Sequence, residues 1–145
     1  MSKSIRQNLA LAFVAAAAVA MAAPAARAEI LYFESVLEPE NEVPPANSPG
    51  GGLANFAYDT TTRMFSWTVT YAMLTGPVTG AHIHGPAEPG QNAGVLIPFP
   101  AVATPITGSM TLTPAQAADM MAGKWYVNIH TAANPGGEVR GVIEK

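Results

Sequence analysis

The nine residues 63–71, RMFSWTVTY, leave the backbone little choice. Phe65, Trp67, Val69 and Tyr71 take every second position, with Ser66, Thr68 and Thr70 between them. A period of two in aromatic and β-branched residues turns one face of a strand to a core and the other to water; a helix would scatter the same side chains around its circumference. Comparable segments recur at 30–37, 53–59, 78–84, 94–99, 106–112, 124–130 and 138–143. Gly- and Pro-rich stretches divide them, and the longest, EPENEVPPANSPGGG (38–52), predicts a loop. One segment reads differently. TPAQAADMMAG (113–123) predicts a helix, with Thr113 as its cap, Pro114 in the first helical position, Gln116 completing a capping box and Gly123 at its end. Strands at intervals of roughly ten residues plus one short helix predict an all-β fold, an antiparallel Greek-key-like β-sandwich or flattened barrel.

Residues 1–28 do not fit that pattern. Lys3 and Arg6 open the chain, 9–21 is an unbroken apolar run, and Ala26-Arg27-Ala28 is a small-x-small cleavage pattern. Together these predict a secretory signal peptide and a mature domain of residues 29–145. The run is shorter than the ~20 apolar residues that span a bilayer. An uncleaved anchor is the alternative, and no second stretch in the mature chain has membrane length. The expected location is the periplasm or the outside of the cell.

Without Lys3, Arg6 and Arg27 the remainder holds four basic against ten acidic residues, so its formal charge is −6 rather than −3. Such a surface repels polyphosphate and disfavours nucleic acid as a partner. There is no cysteine. Thiol catalysis, thiolate zinc sites and iron–sulfur clusters are thereby excluded, and an exported domain must be held by packing or by something bound. Ser35, Ser48, Ser66 and Ser109 lack a nucleophile elbow, no Gly-Lys-Ser/Thr phosphate loop is present, and the methionines are spread too evenly for a copper-carrier motif.

Three histidines remain, and their placement is the strongest chemical signal. His82 and His84 lie in GAHIHGPA, and His130 lies in YVNIHT. Positions i and i+2 of a strand share a face about 6.5–7 Å apart, near enough for two imidazoles to converge on one ion. If Ile83, Val127 and Ile129 face the core, all three histidines face away from it, and they meet only if their strands are neighbours. The alternative is three solvated rings, or rings bonded to carbonyls of the flanking loops. The glycines of HGPAEPGQNAG and NPGGEVRG predict tight turns after each histidine segment. Glu138 and Arg140, alternating with Val139, predict an architectural ion pair across strands or a bond to the loop at Asn134.

Three blocks, EVPP, GGLANFAYDTTTRMFSWTVTYAMLTGPVTGAHIHGPAEPGQNAGV and ITGSMTLTPAQAADMMAGKWYVNIHTAANPGGEVRG, resemble the CHRD domain, over residues 30–143. That resemblance implies an extracytoplasmic β-rich module. A fainter one is to copper–zinc superoxide dismutases, through GPVTGAHIH, YVNIH and GGEVRGVI. It implies that His82, His84 and His130 stand at three copper-ligand positions and Arg140 at that of an anion-guiding arginine. The bridging histidine, the zinc ligands and the disulfide cysteines have no counterpart here. The reading that follows is a CHRD-type binding module with a mononuclear three-histidine metal site, copper first and zinc second. Two alternatives stand beside it: a metal-free structural or adhesive module with a protein or matrix partner, and a copper-dependent redox enzyme of superoxide-dismutase type.

Overall fold

A computed structural model of the chain describes residues 28–145, and the segment expected to be a signal peptide lies outside them except for Ala28. Eight strands follow: β1 (Ile30–Leu37), β2 (Gly51–Asp59), β3 (Met64–Ala72), β4 (Val78–His84), β5 (Val95–Pro98), β6 (Ile106–Thr111), β7 (Tyr126–Thr131) and β8 (Val139–Val142). Helix α1 (Pro114–Met121) joins β6 to β7. The strands make two four-stranded sheets, in the orders β1-β2-β3-β6 and β5-β4-β7-β8. Every pairing is antiparallel. Two pairings, β3 with β6 and β4 with β7, join strands far apart in the chain, so the chain crosses between the sheets of the predicted sandwich.

Alternation decides what each sheet buries. Phe65, Trp67 and Val69 of β3 point inward, as do Ile83 of β4 and Val127 and Ile129 of β7. Phe56 stacks on Phe65 with ring centroids 5.3 Å apart, and Trp125 meets Phe65 edge-on at 5.9 Å. Each such fully buried side chain contributes about 1.5–3 kcal/mol. Helix α1 closes one end with Ala117 and Met120. Its cap is the predicted box: Gln116 N–H donates to Thr113 Oγ1 at 3.2 Å, and Thr113 N–H donates to Gln116 Oε1 at 2.9 Å.

Strand boundaries differ from the sequence expectation by one or two residues, most at β2, which begins at Gly51 inside the predicted loop 38–52, and at β7, which begins at Tyr126. The Asp59 carboxylate accepts from the N–H of Thr61 (2.7 Å) and Thr62 (3.0 Å), and Arg63 takes φ +59°, so β3 starts at Met64. Within the predicted loop 38–52, Pro39–Asn41 forms a single 3-10 turn.

The sandwich is closed along one side. Glu34 and Glu144 exchange backbone hydrogen bonds at 2.8 and 3.0 Å, and Glu38 and Arg140 do so at 3.0 and 3.1 Å, tying β1 to β8. Between these contacts Gly141 lets the sheets approach. A Cβ there would stand 2.2 Å from the Val36 carbonyl oxygen and 2.4 Å from Ser35 Oγ, so no larger residue fits without parting the strands. On the far side β5 and β6 stay unpaired with each other, which makes the molecule a sandwich closed along one edge.

Candidate metal centre

Strands β4 and β7 are neighbours, so the condition for the histidines to meet is fulfilled. Their register sets Gly80 opposite His130, His82 opposite Asn128 and His84 opposite Tyr126. Ala81, Ile83, Val127 and Ile129 fill the core, and alternation therefore turns all three imidazoles onto the outer face of the sheet. Ring centroids lie 5.0 Å apart for His82 and His130, 5.5 Å for His82 and His84, and 5.8 Å for His84 and His130. One nitrogen from each ring lies within 4.8 Å of the other two. Around a single ion with bonds of 2.0–2.1 Å, such nitrogens stand about 3.3–3.6 Å apart.

The hydrogen bonds decide which nitrogens are free. His84 Nδ1 lies 2.9 Å from the Ala93 carbonyl and His130 Nδ1 lies 3.0 Å from the Pro135 carbonyl. A carbonyl only accepts, so both Nδ1 atoms donate their protons and both Nε2 atoms are bare lone pairs. Those Nε2 atoms, with His82 Nδ1, are buried and have no hydrogen-bond partner. Burial holds His82 below the ordinary histidine range, helped by His130 and His84, and burial does the same to His84 against the Ala93 bond. A lowered basicity favours the neutral, ligating form. The glycine-rich loops after each segment thus do more than turn the chain, because their carbonyls orient the rings.

A second layer packs against the trio. The Tyr126 ring stacks on His84 at 5.0 Å and 5°, and the Arg140 guanidinium lies 3.4 Å from the Tyr126 centroid. Arg140 is 3% exposed, with Nη1 donating to Asn92 Oδ1 (2.9 Å) and Nη2 to the Gln91 carbonyl (2.5 Å), so it clamps the loop that carries Ala93. Asn128 donates to Glu42 and to the Val139 carbonyl. Burial pushes the Glu42 carboxyl up to about 7 against the opposing pull of Asn128 and Arg140.

Glu138 and Arg140 do not pair with each other. Glu138 is fully buried and accepts from Ser48 Oγ (2.6 Å), the Thr75 N–H (2.6 Å) and Thr131 Oγ1 (2.5 Å). Burial alone would raise its pKa, but hydrogen bonds from Ser48, Thr131, Thr75 and Asn134 outweigh that and hold it at about 2. The loop at Asn134 is tied to Glu138 through Thr131, whose Oγ1 accepts from the Asn134 N–H at 3.1 Å. Sequence reasoning gave no role to Asn128 and Tyr126 beside the histidines, and it missed Glu42 behind Asn128. Asn128 and Tyr126 share His130's alternation face, a usable signal; Glu42, 86 positions from Asn128, gave none.

Among the described residues, no helix is long and apolar enough to cross a membrane. No curated protein and no solved structure matches the chain. A family model does: that of the CHRD domain matches residues 33–143.

Proposed function

We propose that this chain, which belongs to the CHRD domain family, is an exported binding module that holds one metal ion, copper in the first place, through His82 Nδ1, His84 Nε2 and His130 Nε2. One observation carries the reading: the three histidines whose ring nitrogens come within 4.8 Å of one another each hold a buried nitrogen without a hydrogen-bond partner. An unsatisfied buried polar atom costs about 1–3 kcal/mol. Three at one place are a debt that a chain can avoid by substitution, unless something supplies the missing partner. A single metal ion satisfies all three at once.

The donor set argues for copper. It is all imidazole, with no thiolate and no nearby carboxylate ligand, and such nitrogen sites bind Cu(II) more tightly than other divalent first-row ions. Zinc, with a water as fourth ligand, is second. Bound copper supplies a Lewis acid and a one-electron couple. The chain's own residues do the holding: Ala93 and Pro135 fix two rings, Tyr126 buttresses His84, and Arg140 anchors the 85–94 loop over them.

Mature protein titrated with Cu(II) is expected to bind one equivalent, and His82→Ala or His130→Ala to bind none at the same concentration. Unchanged stoichiometry in those variants removes the site. The export part of the reading rests on residues 1–28, and the intact mass of the secreted protein is expected to correspond to a chain beginning at Glu29. A mass that retains the leader overturns it.

A further inference from the structure

Gly80 faces His130 across the β4–β7 ladder and shares the outer face of β4 with His82. The interior of a strand is where glycine serves worst, because it gives no side chain to pack and costs the most backbone entropy. Its φ is not in the left-handed region, and the irregularity in the β4–β7 register between Val78 and Gly80 does not by itself require a glycine. The space above it does. A Cβ on Gly80 would stand 2.9 Å from His82 Cε1, 3.3 Å from His82 Nε2 and 3.9 Å from His130 Cδ2. The His82 ring therefore lies over the bare backbone of Gly80 by its Cε1–Nε2 edge, and Nδ1 is left as its buried, unpaired nitrogen.

We infer that Gly80 is a positioning residue for the metal centre. Its missing side chain is the room into which the His82 imidazole lies, and this makes His82 ligate through Nδ1 while His84 and His130 ligate through Nε2. The inference rests on the metal reading above and adds to it the residue that sets ring orientation. The consequence is a separation of stability from affinity. The atoms that a Cβ would meet belong to the end of a side chain that can swing away, so the fold tolerates alanine at Gly80. The swing carries Nδ1 away from the other two nitrogens, so the ion does not tolerate it. Gly51, in β2 of the other sheet, is the control, because a Cβ there makes only an ordinary contact, 3.6 Å from the Leu37 carbonyl oxygen.

Competition titration with Cu(II) is expected to show affinity falling about 10- to 100-fold in Gly80→Ala, with Gly51→Ala unchanged. The metal-free melting temperature of Gly80→Ala should equal or exceed that of the wild type. Long-range proton–nitrogen spectra of the metal-free wild type should find the neutral His82 protonated on Nε2, opposite to His84 and His130. Copper held equally well by Gly80→Ala, or a His82 protonated on Nδ1 in the wild type, overturns the inference alone. A wild type that takes up no copper overturns the metal reading and this inference with it.

Discussion

Replacing Glu138 with alanine is expected to lower the unfolding free energy by about 3–5 kcal/mol at pH 7, measured by urea denaturation. The carboxylate is fully buried without a cation, and its charge is stabilised by the Ser48 and Thr131 hydroxyls and the Thr75 N–H. Hydrogen bonds to a charged group are worth about 1.5–3 kcal/mol each, and removing the acceptor also strands buried donors. Glu138→Gln should cost less, since hydroxyls can turn to accept from the new amide, but the Thr75 N–H cannot.

The pH dependence separates charge from shape. Glu138 sits at about 2 in the folded chain against 4.5 for a free side chain. Its ionised form is thus favoured by folding, and the stabilisation is complete above pH 4.5 and disappears as pH falls toward 2. The wild type should therefore lose more stability than Glu138→Gln between pH 5 and pH 2.5. Parallel losses in the two proteins would show that the carboxylate contributes shape and not charge.

Much of this arrangement is readable from residue order, and the unreadable parts have a common cause. Strand β3 is legible because Phe65, Trp67, Val69 and Tyr71 repeat with the period of the pleat. The helix is legible because Thr113, Pro114 and Gln116 are a local device. The shared outward face of His82, His84 and His130 follows from the same alternation, given Ile83, Val127 and Ile129 in the core. What alternation does not contain is which strand lies beside which. The β4–β7 pairing that joins the trio depends on the chain crossing between sheets, and Glu42 reaching Asn128 depends on a Pro-rich loop folding over the second sheet. The choice between ring nitrogens is finer still. It comes from the Ala93 and Pro135 carbonyls and the gap at Gly80, none of which has a side-chain signature.

Copper is expected to reverse the stability order of the wild type and His82→Leu. In the metal-free wild type, His82 Nδ1 is buried without a hydrogen-bond partner. Leucine removes that unsatisfied atom and keeps most of the packing, so metal-free His82→Leu should be as stable as the wild type or up to about 2 kcal/mol more so. With free Cu(II) at 1,000 times its dissociation constant, the wild type gains about 4 kcal/mol by binding linkage, and the variant gains nothing. Thermal melts at increasing copper should therefore cross. If His82→Leu were destabilised without metal, the ring would be a structural part of the sheet. An equal gain in both proteins would place the ion elsewhere. The crossing distinguishes a site that tolerates unpaired nitrogens for the sake of an ion from a surface that merely displays imidazoles, because only the former is made less stable by its own ligands when the ion is withheld.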